Sequence, residues 1–529
     1  MKRLFVCCDG TWDSPTVLCD GVPVPSNVVK FHNCVVQGDV GDVNKPVRQL
    51  AFYHCGVGAD ETLLKKVFYG MTGKGLARNI QSAYHWLAEQ YTPGDEIFVV
   101  GFSRGAFTAR SLVGMLHHCG LLTPVNATWP LVEEAFRCYR LASAEEPQKI
   151  AFCRKYCHPQ QVRIKFVGVW DTVGSLGIPV GLDWFHLFAG RFRFHDTSLS
   201  PLVDHACQAL AIDEMRINFQ PTLWTEHDAQ HTDCQQHWFA GTHGDVGGGY
   251  KEVGLSDISL QWMIETASDC GAVFSLAMLK QIEPDYQGIV HDSLQGIYKV
   301  AGSQPRRFPY LCSAAVSASV APLGGTGVSP VAGKENEFPL QDIHPAVLER
   351  YADPPITQSP YRPSFPLTPT ALSVEVAVEA VEPWNWTGIF LQAGIAYTFE
   401  ADGQWQDAGR VSGPDGTLGN IFQRLYGYLK RYRGAKWFCL VGAIADGRGA
   451  AVGADGRVQP LVMFPIGRGT TYTPQQSGYL YCFANDAHDF YWNNRGRVKL
   501  IVRWQGGPSR PANPRQATLI VPRPTRPSA

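Results

Sequence analysis

The sequence predicts an α/β domain built on parallel strands, followed by an all-β sandwich. Three features carry that expectation. Over residues 1–300, short apolar runs such as RLFVCCDG, DEIFVVGFS and VRIKFVGVWD end in polar or glycine turns, with helical stretches between them. Such runs read as strands buried on both faces, joined by helical crossovers. From 371 to 505 the pattern turns to alternation, in ALSVEVAVEAV, IAYTFEADGQW, GYLYCFAN and RVKLIVRW, broken by Gly, Pro, Asn and Asp. That is the mark of a β-sandwich. Between the two, 301–370 (SQPRRFPY, ADPPITQSPYRPSFPLTP) is proline-rich and aperiodic, which predicts an irregular, partly ordered connector. Residues 506–529, rich in Pro and Arg, read as an extended tail.

Composition narrows the function. The chain has 529 residues, 45% hydrophobic and 18% charged, enough for two or more cores. A net charge of −1 argues against nucleic acid as a partner. No segment approaches the roughly 18–20 apolar residues of a membrane span. The apolar run in MKRLFVCCDGTW is too short for a signal peptide, so the expectation is a chain made in the cytoplasm without one. The 15 cysteines are odd in number, and no second pair joins Cys153 and Cys157 to complete a zinc site. They read as free thiols of a reducing compartment.

The first strand-to-helix junction of chemical interest is VVGFSRGAF, where Gly101-Phe102-Ser103-Arg104-Gly105 fits G-x-S-x-G. On a sharp turn between strand and helix, glycines on either side leave room for an exposed nucleophile. The alternative is a serine that only caps the helix. A phosphate loop in FYGMTGKGLA fails, because Phe68 stands where its first glycine belongs and Gly75 replaces Ser or Thr.

A serine nucleophile needs a base, and the base an orienting acid, in the chain order Ser, Asp, His on this kind of fold. Asp171 ends the strand RIKFVGVW, and His243 follows the apolar WFAG in a glycine-rich loop. Asp171 could instead cap a turn, and Asp245 is the rival acid, although its place suits bracing its own loop. His54 and His237 are rival bases that suit packing. Gly10 and Thr11, after the first strand, and the Arg104 amide are candidate oxyanion donors, with Asp9 holding their loop by hydrogen bonds.

Seven ordered motifs carry a family resemblance: FVCCDGTWD, YHCGVGAD, GLARNIQSAYHWL, GFSRGAFTARSL, VGVWDTVGSLG, ALAIDEMR and WFAGTHGDVGGGYKEVGLSDISLQWM. Over roughly residues 3–265 the chain resembles the catalytic domain of the type VI secretion phospholipase effectors of the first lipase class. The resemblance implies an α/β-hydrolase domain whose triad falls on Ser103, Asp171 and His243. It implies ester hydrolysis of phospholipids at the sn-1 or sn-2 position, with no cofactor for catalysis. It also implies export from a bacterial cytoplasm by type VI secretion, with an adaptor or immunity protein as partner.

Selectivity has two candidate sources. Trp184, Phe185, Leu187, Phe188, Phe192 and Phe194 crowd the segment between acid and base. They form either core or an acyl-chain wall, with Trp184, Phe185 and Phe188 as the pocket residues. In GNIFQRLYGYLKRYRG, Ile421, Leu425, Tyr428 and Tyr432 recur at helical spacing among Arg424, Lys430, Arg431 and Arg433. That suits either a helix packed between domains or one lying on an anionic membrane surface.

GQWQDAG, FPIG and SGYLYCFANDAHDFYWNNRGRVKLIV resemble the galactophilic PA-I-type lectins, a small jelly-roll sandwich with calcium at its sugar site. The resemblance implies Ca²⁺ held by Asp486, Asn493 and Asn494, with carbonyls of Ala408 and Phe490, and a glycan as partner. The same residues would also serve as an Asp/Asn turn between two strands. Two rival functions remain beside a phospholipase: an esterase deacylating a polysaccharide or glycolipid, and a carbohydrate- or membrane-binding protein with an inactive hydrolase domain.

Overall fold

Alternate residues of Lys2–Cys8 (β1) enter different cores: Leu4, Val6 and Cys8 one, Phe5 and Cys7 the other. A strand apolar on both faces belongs inside a parallel sheet covered by helices on each side. The structure is a computed structural model. It describes residues 1–10, 18–19, 21–41, 46–55, 73–141, 146–173, 198–224, 231–295, 302–311, 341–365, 367, 373–446, 458–488, 490–505 and 519–520. β2 (Gly38–Val40), β3 (Val47–His54), β4 (Glu96–Phe102), β5 (Ile164–Trp170), β6 (Val203–Ala211), β7 (Asp233–Phe239) and β8 (Gln341–Ile343) join β1 in an eight-stranded sheet. Its order is β8-β7-β6-β5-β4-β1-β3-β2, and every neighbouring pair is parallel except β2 with β3.

Helices cover both faces. Tyr84 and Leu87 of α2 (Gly73–Gln90) and Leu112 and Leu116 of α3 (Arg104–Cys119) fill one core. Opposite lie α1 (Asn27–Cys34), α4 (His243–Gly247) and α5 (Gly254–Asp269), with Phe31, Val246, Met263 and Ile264. The register places Cys8 beside Gly101 and Phe102 beside Trp170, so β1, β4 and β5 end at one level. The chain runs from β1 outward to β3 and then returns to β4 on the other side. That makes the β1/β4 boundary a topological switch point, where the carboxyl ends of parallel strands leave a crevice.

Where it is described, the 301–370 stretch is more ordered than its composition predicts. It supplies edge strand β8 and α6 (Pro345–Ala352), which buries Val347 and Arg350. An edge strand and a helical first turn are the two settings that proline composition does not exclude.

The C-terminal part consists of two separate, mainly antiparallel sheets. β12 (Arg410–Ser412), β11 (Tyr397–Asp407), β18 (Asn494–Trp504), β9 (Ser373–Glu379) and β19 (Leu519–Ile520) lie side by side, with β16 (Gly469–Tyr472) also on β11. β10 (Asn385–Leu391), β17 (Gly478–Ala484), β14 (Trp437–Asp446) and β13 (Asp415–Thr417) form the second sheet, with β15 (Val462–Pro465) on β14. β17 is buried throughout. Leu480, Cys482 and Ala484 face the core between the sheets. Tyr479, Tyr481 and Phe483 share another core with Trp238 of β7 and with Phe308. Two apolar faces explain the unbroken run GYLYCFA.

Candidate active site

The turn after β4 holds Ser103 at φ 56° and ψ −120°, a left-handed conformation for a residue with a side chain. Its backbone N–H donates to the Trp170 carbonyl at 3.0 Å, and its side chain does not cap α3. The capping alternative therefore does not describe this serine. A Cβ on Gly101 would lie 2.5 Å from the Gly105 carbonyl oxygen, and one on Gly105 would lie 2.1 Å from that of Cys8. The two glycines let α3 start directly against β1. Backbone strain of this kind, about 1–3 kcal/mol per residue, persists only where the surroundings enforce it.

Asp171 follows β5 at the same level, also in the left-handed region at φ 42° and fully buried. Its Oδ2 lies 2.5 Å from His243 Nδ1, and its Oδ1 accepts from the Ala211 amide at 3.1 Å. Arg306 then closes on both oxygens, with Nη1 2.5 Å from Oδ1 and Nη2 2.8 Å from Oδ2. Arg306 is itself fully buried, and Nη1 also donates to the Ala211 carbonyl at 3.0 Å. Burial pushes the Asp171 pKa up. The Arg306 charge, with hydrogen bonds from His243 and Arg306, outweighs it and holds the carboxyl well below the usual range.

His243 opens α4, which carries a capping box between Thr242 and Asp245. Phe102 and Phe219 flank the imidazole, with centroids at 4.6 and 5.0 Å. Phe102 immediately precedes Ser103, so its ring fixes the histidine beside the serine turn. The buried Glu214 carboxylate accepts from the His243 amide at 3.2 Å and pairs with Arg216 at 2.8 Å. Burial lowers the His243 pKa against the opposing pull of Asp171, which favours the neutral ring. With Nδ1 given to Asp171, Nε2 is the nitrogen available to accept a proton.

The rivals have other work. Asp245 accepts from the Thr242 amide and hydroxyl, each at 2.9 Å, and meets His291 Nδ1 at 2.5 Å, which braces the glycine loop. His237 packs on Trp262 at 5.0 Å, and His54 Nδ1 contacts the Cys55 carbonyl oxygen at 2.8 Å. Asp9 accepts from Ser26 Oγ at 2.7 Å, Tyr53 Oη at 2.6 Å and the Gly10 amide at 2.8 Å. Gly10 thus already donates within its own loop, while Arg104 begins α3. Thr11 and the segment with Trp184, Phe185, Leu187, Phe188, Phe192 and Phe194 lie outside the described residues.

In the second domain, Asn494 Nδ2 donates to Asp486 Oδ2 at 3.1 Å, and Asn493 Nδ2 donates to Asp407 Oδ1 at 2.9 Å. The Ala408 amide donates to the Asn493 carbonyl at 3.4 Å, and the Phe490 amide to the Ala487 carbonyl at 3.3 Å. The side-chain oxygens of Asn493 and Asn494 are buried without a hydrogen-bond partner. Burial pushes the Asp486 pKa up to about 6. Only Asn494 contacts the buried Asp486, while Asn493 turns to Asp407; a carboxylate and amide oxygens are donors of the type a hard cation takes.

Arg306 and Glu214 are the site residues that sequence reasoning missed. The only trace of Arg306 is a pair of arginines in the proline-flanked, otherwise apolar QPRRFPY.

Residues 2–266 match the family model described as T6SS, Phospholipase effector Tle1-like, catalytic domain. An uncharacterized protein of Saccharomyces cerevisiae is 30% identical over 249 residues, 42% of this chain and 33% of its own length. The solved Tle1 effector bound to the VgrG spike of the Type 6 secretion system is 18% identical, over 48% of this chain and 52% of that one, at a TM-score of 0.28. The EclA N-terminal domain, a PllA-like lectin, is 19% identical over 26% of this chain and 98% of its own, at a TM-score of 0.18. The chain thus spans a third of the yeast relative and about half of the Tle1 effector. At such TM-scores the family match alone carries the assignment. The chain belongs to the Tle1-like family of type VI secretion phospholipase effectors, through a catalytic domain that occupies half its length.

Proposed function

We propose that the protein is a serine esterase of phospholipase A type, cleaving the sn-1 or sn-2 ester of a glycerophospholipid through an acyl-enzyme. The observation that carries this reading is the Arg306–Asp171–His243 chain of contacts beside the strained Ser103 turn. Ser103 Oγ attacks the acyl carbonyl, and His243 takes the hydroxyl proton and returns it to the leaving alcohol. Water then repeats the cycle on the acyl-enzyme. Asp171 fixes the imidazole tautomer and stabilises the imidazolium, and Arg306 fixes Asp171. The Arg104 amide, at the start of α3, is the proposed donor to the developing oxyanion, with Gly10 and Thr11 as the candidates for a second. The strand order and the Ser, Asp, His chain order support an α/β-hydrolase architecture for this domain.

In the C-terminal domain, proposed here as a jelly-roll sandwich, Asp486, Asn493 and Asn494 hold a calcium ion, with the Ala408 and Phe490 carbonyls. It fixes that corner and takes no part in hydrolysis. A spike protein of the secretion machinery is the proposed delivery partner, since the solved Tle1 effector is bound to the VgrG spike.

The test is hydrolysis by the purified chain of phosphatidylcholine carrying different acyl chains at its two positions, alongside triglyceride and acetylated sugars. Release of one fatty acid with the matching lysolipid supports the reading. Turnover of acetylated sugars alone replaces it with polysaccharide deacylation, and no turnover of any ester replaces it with a binding role.

A further inference from the structure

Twenty large apolar side chains are exposed among the described residues, and nine of them fall within 411–429 and 490–492. Isolated exposed apolar groups are ordinary, but a concentration marks an interaction surface. α7 (Ile421–Leu425) is not packed between domains: Ile421 is 71% exposed and Leu425 68%, and Tyr428 follows them outward. Phe490 and Trp492, the latter 79% exposed, project from the turn between β17 and β18.

The two segments form one surface. A single carboxylate, Asp407, accepts from Gln423 of α7 at 2.8 Å and from Asn493, next to Trp492, at 2.9 Å. Lys430 bridges to Ala487, and the Arg431 amide donates to the Asp486 carbonyl at 3.0 Å. From 407 to 436 the sequence carries six Lys and Arg against two acids, Asp407 and Asp415; one of the six, Arg431, is engaged inside the domain by the Tyr491 hydroxyl at 2.7 Å and the Trp384 ring. Asp415 is paired with Arg468 at 3.2 Å.

We propose that this surface docks the chain onto an anionic phospholipid bilayer. The pattern selects the partner. Basic groups are interleaved with the apolar ones, Arg424 beside Leu425 in α7 and Arg433 donating to the Tyr428 carbonyl at 3.2 Å, and an anionic surface complements that charge. Aliphatic groups that enter the acyl region, Trp and Tyr at headgroup level, and Arg or Lys on headgroup phosphates are the signature of interfacial binding. Each basic group near an anionic leaflet strengthens binding roughly fivefold. The proposal does not depend on the serine mechanism, since a docking surface works whatever the attached domain does.

The test uses the full chain and vesicles of dialkyl-ether phosphatidylcholine, with and without dialkyl-ether phosphatidylglycerol, which no esterase can cleave. The wild type is expected to cosediment with the anionic vesicles, less so as salt rises. Arg424→Glu with Arg433→Glu, and separately Leu425→Ser with Trp492→Ser, should each weaken binding about tenfold or more. Melting temperature checks that both variants fold. Unchanged cosedimentation of folded variants overturns the proposal, as does a wild type that stays in solution. A dimer that either pair of substitutions dissociates would assign the surface to a second copy instead, and retention on immobilised galactose, lost in both variants, by a wild type that stays free of the vesicles would assign it to a glycan.

Discussion

Replacing Arg306 by Met removes a wholly buried guanidinium while keeping most of the side-chain length. Asp171 would keep the His243 contact and the Ala211 amide, but lose both charge-assisted bonds, at 2.5 and 2.8 Å. Removing one partner of a buried ion pair destabilises by about 3–5 kcal/mol, which a domain of ordinary stability survives near 25 °C. The carboxylate is then free to shift, and misplacement of a catalytic group by about 1 Å lowers turnover on the order of 100-fold. The pH profile separates positioning from mere stability. Arg306 neutralises Asp171, so its loss leaves the carboxylate freer to stabilise the protonated His243 ring, and the His243 pKa rises. Activity needs that ring neutral, so the acid limb of kcat/KM should move to higher pH. The other groups around the ring, Glu214, Arg216 and the Asp245–His291 pair, are unaltered in the variant. Arg306→Lys keeps the charge without the two-pronged grip, so it should lose turnover while leaving the acid limb in place. The assay is hydrolysis of a short-chain soluble ester across pH. A Met variant within about threefold of wild type, with an unmoved acid limb, would refute the reasoning.

Asp171→Asn should lower turnover about 10⁴-fold by favouring the wrong histidine tautomer. Asp245→Asn should mainly lower the melting temperature, since it loosens the loop that carries Thr242 and that loop's tie to His291; an inactive but fully stable Asp245→Asn would reverse the two roles. Calcium should raise the melting temperature of the full chain, and Asp486→Ala should abolish that rise. Soluble-ester hydrolysis should persist in EDTA, whereas loss restored by zinc or manganese would point to metal-assisted hydrolysis.

How much of this was legible in the sequence depends on the range of each contact. Ser103 and Asp171 each end an apolar run, because parallel strands deliver functional groups at their carboxyl ends, and a run is a local signal. His243 was legible through the glycine loop that follows an apolar strand. Arg306 was not, because its partner is 135 residues away and neither periodicity nor composition encodes that separation. The proline-rich stretch around it looked like a linker, yet Ser303 accepts from Trp384 Nε1 at 3.0 Å and the Leu311 amide donates to Tyr479 Oη at 2.9 Å. Those contacts tie the arginine to the sandwich. The Gly10 amide illustrates the opposite limit: its position in the loop was evident, but its engagement by Asp9 depends on where the carboxylate turns. In the 417–436 segment the helical spacing holds only for Ile421–Leu425; a 3₁₀ turn follows at Gly427–Leu429 and Lys430 bridges to Ala487, so Tyr432 leaves the helix. Which of its faces meets protein was decided by Asp407, 16 residues before Gln423 and outside the segment.

The central claim is that Ser103 is the nucleophile. It is tested most directly by treating the full chain with a fluorophosphonate and locating the adduct by peptide mass spectrometry. The expected result is a single adduct on Ser103, absent in Ser103→Ala. That variant should fold normally and lose around 10⁶-fold in ester hydrolysis. An adduct on another residue, or a Ser103→Ala variant that keeps activity within about tenfold of wild type, would contradict the claim.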